Sequence, residues 1–322
     1  MMNRRGALGF GVGIAALLDA APSMLPMPAL ASASRPSAAK LDLAAADGNV
    51  LAMAKLTGDL AGTGVKHGYY SGVLAGVVPG EAVRELVGII GLSSARLSKL
   101  PDEPGYQVLQ KEVGFFTDLE TGAVLDRWRN PYSGEEVEPF HIANPAVNRF
   151  IRPVIKDERF YDRVEGTAPK ARPFVLPWRV AGDRAYVETR THFWANNPLD
   201  PAVWVRESSG PRIQVSDFMS YSASYRALSD PKVSSVDYWG HWVHVRPWQP
   251  WMLMGAAPGH CMYSAMTGSA RALAGIPANI LAIARDRTPD FLVPPTERRS
   301  SEPSMIRYMR ERKPAPPPTK GN

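Results

Sequence analysis

Hydrophobic and polar positions change their rhythm along this chain near Gly68. Before it, KLDLAAADGNVLAMAKLTGDL is rich in Ala and Leu and reads as one amphipathic helix, broken near Gly48. After it come short apolar, β-branched and aromatic runs: YYSGVLAGVV, RELVGIIGLSSARLSKL, YQVLQKEVGFFTD and GAVLDRWRN. Pro-Gly, Asp-Glu-Pro-Gly and Glu-Thr-Gly breaks separate them. RPFVLPWRVAGDRAYVETRTHFWANN continues the pattern, with Ala-Gly-Asp as a hairpin turn, followed by VSDFMSYSASYRAL and DYWGHWVHVRPW. No β-α-β rhythm interrupts these strands. The predicted fold is therefore mainly β (α+β): an antiparallel β-barrel or strongly curved sheet with a few flanking helices. SARALAGIPANILAIARDR, interrupted by Pro277, and SEPSMIRYMRERK supply helices near the C-terminus. The domain plan is a signal segment at 1–33, a helical segment at 34–67, one β domain at 68–295, a helix at 296–312 and a disordered Pro-rich tail at 313–322.

Alternation assigns faces within these strands, because successive side chains point to opposite sides. In RAYVETRTHFW, one face carries Tyr186, Glu188, Arg190, His192 and Trp194, and the other Val187, Thr189, Thr191, Phe193 and Ala195. The first face is too polar for a core yet has aromatic ends, which suits the lining of a solvated cavity. The plainer reading is a solvent-facing row in which Glu188 and Arg190 neutralise each other. In DYWGHWVHVRPW, Tyr238, Gly240, Trp242, His244 and Arg246 share a face, while Trp239, His241, Val243 and Val245 look the other way. Gly240, the valines and Pro247 oppose a helix there, so His241 and His244 do not make a metal-binding pair. Two rows of like composition predict one shared cavity. In VSDFMSYSASYR, either the serine row or the row of Val215, Asp217, Met219 and Tyr221 could face it.

The stretch from Glu120 to Phe150 is the most distinctive. Asn130-Pro131-Tyr132-Ser133-Gly134 sets a turn in which Gly134 supplies a positive φ. His141 stands between a short strand and an Asn-rich loop, as a base or ligand or as a tie for that loop. Trp128-Arg129-Asn130-Pro131-Tyr132-Ser133-Gly134-Glu135, then His141-Ile142-Ala143-Asn144 and Val147-Asn148, resembles the signature of an exported family, domain-of-unknown-function family 1838. The resemblance runs from about residue 45 to 310. Asn144-Pro145-Ala146 departs from the Asn-Asp-Pro pattern associated with that family. The resemblance implies no established reaction.

Composition adds limits. A chain of 322 residues with 45% hydrophobic content can build a full core. Its net charge of +6 is spread among both signs, so no nucleic-acid partner is expected. The one cysteine, Cys261, reads as a buried inert thiol. Arg4-Arg5, a mildly apolar run and A-x-A sites ending at Ala31 and Ala33 resemble a twin-arginine signal. They predict delivery to the periplasm or exterior by the export machinery, with no membrane span in the mature chain. No G-x-S-x-G elbow, phosphate loop, H-E-x-x-H or cysteine cluster occurs, so no cofactor and no metal are expected.

The function expected from these features is an exported, cofactor-independent enzyme of isomerase, cyclase or lyase type. It would act on a small apolar or aromatic molecule, neutral or anionic, by acid–base chemistry of His192, His244, Glu188 and His141. Tyr186, Arg190, Trp194, Tyr238, Trp242 and Arg246 would bind the ligand. Two other readings stand beside it: a non-catalytic small-ligand carrier similar in architecture to lipocalins, and a metal enzyme with His141, His192, His244 and Glu188 as ligands.

Overall fold

The computed structural model describes residues 41–155 and 171–317. The expected signal segment and the last five residues of the Pro-rich tail lie outside them. In chain order the strands are β1 (Lys66–Val77), β2 (Arg84–Lys99), β3 (Tyr106–Thr117), β4 (Trp128–Arg129), β5 (Glu136–Val137), β6 (Ile142–Ile151), β7 (Val154–Ile155), β8 (Arg172–Pro173), β9 (Arg179–Ala181), β10 (Arg184–Asn196), β11 (Arg212–Ser224), β12 (Trp239–Arg246) and β13 (His260–Ala270). The helices are α1 (Ala46–Thr57), α2 (Tyr225–Ser229), α3 (Ala278–Arg287) and α4 (Ser304–Glu311).

Nine strands form one antiparallel sheet in the order β6-β3-β2-β1-β13-β12-β11-β10-β9, curled into a half-barrel. Two meanders meet where β1 pairs with β13. The pairs β4–β5 and β7–β8 stand apart from this sheet. Of the expected alternatives, the strongly curved sheet is therefore the one formed, and it does not close.

Cross-strand partners share a face, which gives the sheet two distinct sides. On the convex side Tyr69, Leu92 and Val113 are in register and pack beneath Ile276, Ile280 and Leu281 of the α3 region. On the concave side Tyr70, Gly91 and Gly114 are in register. α1 fills one end of the concave side, against Leu97, Val108, Val187 and Tyr221. The other end is filled by Trp248, Trp251 and Met252, with Tyr308 of α4. Fully burying a leucine such as Leu56 contributes about 2 kcal/mol, so the apolar face of α1 suffices to dock it.

The expected break near Gly48 does not occur. α1 starts at Ala46 and runs through it, and a Cβ at Gly48 would stand 1.7 Å from the Asp42 carbonyl oxygen. The glycine lets the incoming chain cross the first turn. The Asn130 turn forms as predicted, with Gly134 at φ 72°. Asn130 itself is buried, and its amide donates to the Met252 carbonyl at 2.8 Å. The turn thereby holds Trp128 edge-on against Trp251, with ring centres 5.4 Å apart.

Asn49 fastens α1 to the wall. Its side-chain amide donates to the carbonyls of Leu43 and Ala45, and its oxygen accepts from the Leu176 amide and Trp178 Nε1, all at 2.8 Å. Asn49→Ala leaves these buried groups unpaired. The expected loss is about 3 kcal/mol, read from urea unfolding. A loss below about 1 kcal/mol would show that the groups find other partners.

Candidate functional site

The site is built by register. Thr191 of β10 pairs with Asp217 of β11, Asp217 with His244 of β12, His244 with Tyr263 of β13, and Tyr263 with Leu74 of β1. These five residues form one row on the concave face. A second row runs through Thr189, Met219, Trp242 and Ala265. Tyr238, Trp242, His244 and Arg246 thus look inward, as their alternation predicts, while Trp239 on the opposite face is 59% exposed.

Asp217 holds the centre. One of its oxygens, Oδ1, accepts from Trp242 Nε1 at 2.6 Å and lies 3.2 Å from His244 Nδ1. A carboxylate there places a proton on Nδ1 and leaves Nε2 with its lone pair, free of hydrogen-bonding partners among the described residues. Trp242 packs between Tyr70 and Tyr263, with ring centres 5.4 and 5.3 Å away. Tyr70 in turn needs the seat that glycine provides. A Cβ at Gly114 would come within 2.2 Å of its hydroxyl, and one at Gly91 within 2.2 Å of Cζ. The Tyr70 hydroxyl is buried without a hydrogen-bond partner among the described residues.

Glu112 approaches from the other wall. It stands on β3 beside an irregularity in the β3–β6 pairing, which lets Pro145, lacking an N–H, sit in the edge strand. Burial raises its carboxyl above the ordinary carboxylate range. The Asn144 hydrogen bond at 2.9 Å and the Arg149 charge oppose that shift, Asp217 adds to it, and a charge on His244 opposes it. Asn144 is itself fixed by Ser304 of α4, whose hydroxyl donates to it at 2.8 Å.

Two cavities of about 490 and 240 Å³ adjoin here, and the side chains lining both are Glu112, Trp242 and His244. The larger reaches towards α1 between Tyr70, Tyr221 and Tyr238. The smaller lies against Trp251, Met305 and Tyr308 and includes Arg246. Such a place can hold a molecule between a positioned imidazole and a carboxyl that keeps its proton beyond the usual range.

The expected shared cavity needs a correction at β10. Tyr186, Glu188, Arg190, His192 and Trp194 lie on the convex face, opposite to Thr189 and Thr191, which line the larger cavity. Tyr186 and Trp194 are exposed, Glu188 pairs with Arg190 at 2.6 Å, and His192 Nδ1 bonds Ser216 Oγ at 2.7 Å. The row of Ala185 and Val187 goes inward because α1 and Tyr221 bury it there. His141 stays outside both cavities. Its Nδ1 accepts from the Phe116 amide at 3.2 Å, and burial pushes its pKa down to about 4, with Arg287 adding to the shift. It is neutral at pH 7 and ties down its loop. His141, His192, His244 and Glu188 therefore do not converge on a metal, and among the described residues no group of three or more His, Cys, Asp or Glu could hold one. The Cys261 thiol is fully buried and pushed up to about 12, which makes it unreactive. No helix among the described residues is long and apolar enough to cross a membrane.

Sequence reasoning passed over Glu112 and Arg149 and did not choose Asp217. The available signal was a charged residue within each of three strands, Glu112 in β3, Arg149 in β6 and Asp217 in β11.

The chain belongs to the family described as protein of unknown function (DUF1838), whose model matches residues 67–313. The match spans the whole nine-stranded sheet except Lys66, and includes Glu112, Trp242 and His244, which line both cavities. No curated protein matches the chain, and no solved structure does.

The Tyr70 seat can be tested by a double-mutant cycle. Gly114→Ala alone is expected to cost about 1–3 kcal/mol, as in other overpacked cores. In a Tyr70→Phe background the added methyl meets ring carbon at 3.2 Å and most of that cost disappears. Equal costs in both backgrounds, by urea unfolding, would show that the hydroxyl is not the obstruction.

Proposed function

We propose that this is an exported, cofactor-independent acid–base enzyme of isomerase, cyclase or lyase type. Its substrate is a small apolar or aromatic molecule, neutral or anionic, bound on the concave side of the half-barrel. His244 is the base, acting through Nε2. Asp217 orients the ring and stabilises the imidazolium that forms when the proton is taken. Glu112 is the acid, returning a proton at a second position or sharing one with a developing oxyanion. Tyr70 and Trp242 provide the apolar wall. None of these steps needs a nucleophile or a redox group. Export rests on the Arg4-Arg5 signal.

The observation that carries this reading is the single Asp217 oxygen shared by Trp242 Nε1 and His244 Nδ1, beside the junction of the cavities. A carrier needs aromatic walls but has no use for an imidazole whose tautomer is fixed by a carboxylate. The separate requirement for a deprotonated His244 and a protonated Glu112 predicts a bell-shaped pH dependence of kcat/KM.

Aryl ketones, cyclic enones and aryl-substituted carboxylic acids, incubated in D2O and followed by proton NMR, test the activity. The wild type is expected to exchange carbon-bound protons adjacent to a carbonyl in at least one compound. His244→Gln should slow this about 100-fold or more, and Glu112→Gln should remove one limb of the pH profile. A ligand that binds tightly, with exchange absent or indifferent to His244→Gln, identifies a carrier instead.

A further inference from the structure

The smaller cavity is lined by an arginine whose side chain makes no hydrogen bond or ion pair with any described residue. Arg246 points inward at the end of β12 and is half-buried, and its Nε is fully shielded without a hydrogen-bond partner among the described residues. Among the described residues no carboxylate lies within ion-pair reach of it. Its charge is felt by Tyr263 and Cys261, whose pKa values it lowers against the upward push of burial. Glu112 lines the same cavity, yet the charges that act on it are those of Arg149, Asp217 and His244. Trp251 also lines this cavity; it is 3% exposed, and its Nε1 is buried without a hydrogen-bond partner among the described residues. Shielding the Arg246 Nε–H and an indole N–H without acceptors is unfavourable, and proteins rarely leave both so. The rest of the wall, with Phe140, Ile142, Met305 and Tyr308, supplies no anion.

We propose that the smaller cavity is a carboxylate pocket, with Arg246 as its anchoring residue and Trp251 as a second donor. This deepens the acid–base reading by naming the substrate class: a monocarboxylate with an apolar or aromatic body. The carboxylate enters the 240 Å³ cavity, and the body extends past Trp242 into the 490 Å³ cavity beneath Tyr70. The atoms next to the carboxylate then lie between His244 and Glu112, the residues that line both spaces. An arginine is suited to this task because its planar fork matches a carboxylate and cannot lose its charge. The proposal rests on the same site but needs no turnover, so its test is a binding test.

Benzoate, 4-phenylbutyrate and decanoate are each compared with the corresponding amide, which matches in shape and lacks charge. Binding is followed by calorimetry and by thermal shift, on full-length protein. At least one carboxylate is expected to bind about tenfold or more tighter than its amide. Arg246→Gln should abolish that preference, weakening the carboxylate far more than the amide, and Arg246→Lys should keep part of it. His244→Gln should still bind the carboxylate more tightly than its amide, which separates this proposal from the acid–base reading. Three results overturn the proposal: no carboxylate binding by the wild type, equal affinities for acid and amide, or a preference that survives in Arg246→Gln. If Arg246→Gln does not fold, Trp251→Phe takes its place and must weaken the carboxylate more than the amide.

Discussion

Antiparallel pairing from β10 to β1 puts every second residue of five strands on one concave surface, and the site depends on this constraint. Asp217 and His244 are 27 residues apart in sequence, yet they are direct cross-strand partners. Their side chains meet because the register sets them side by side on that face. A slip of one residue in β11 would turn Asp217 outward and present Phe218 and Ser216 in its place. The short hydrogen bond from Trp242 to the same Asp217 oxygen adds a second lock, two residues along β12 from His244. Geometry and electrostatics thus come from one source: the strands supply position, and the carboxylate supplies the tautomer.

The open half-barrel becomes a container through its two plugs. α1 closes one end with Val50, Met53 and Leu56, and the Trp248–Met252 segment with Tyr308 closes the other. The turn around Asn130 serves the second plug, through the amide that caps the Met252 carbonyl. Asn144, further along the same stretch, holds Glu112. A motif with no evident chemistry in its own side chains is therefore the frame for the carboxyl and for Trp251.

How much of this was legible in the sequence follows from what alternation can detect. The strand rhythm predicts the curved antiparallel sheet, and in 238–246 it assigns Trp242, His244 and Arg246 to the inner face. The same rule misleads at 186–194, where the row with aromatics and charges goes outward. Glu188 and Arg190 neutralise each other in solvent there, whereas small Val187, Thr189 and Thr191 fit beneath α1 and beside Asp217. Likeness of composition between two rows says nothing about pairing, because register is a long-range property. Glu112 escaped notice for a related reason. Its strand is covered by α3 on one side and faces the cavity on the other, so neither row, Leu109-Lys111-Val113 nor Val108-Gln110-Glu112, stands out as polar. His141 shows the converse: a histidine in a distinctive motif whose task is to accept one backbone hydrogen bond.

The central claim is that Asp217 fixes His244 with its proton on Nδ1 and its lone pair on Nε2. Long-range 1H–15N correlation spectra of histidine-labelled protein at about pH 9, where ordinary imidazoles are neutral, read this directly. His244 is identified by its loss in His244→Gln. The predicted spectrum shows a protonated Nδ1 and an unprotonated Nε2, with the pattern reversed or mixed in Asp217→Asn. A His244 ring protonated on Nε2 in the wild type, or one unchanged by Asp217→Asn, would contradict the account.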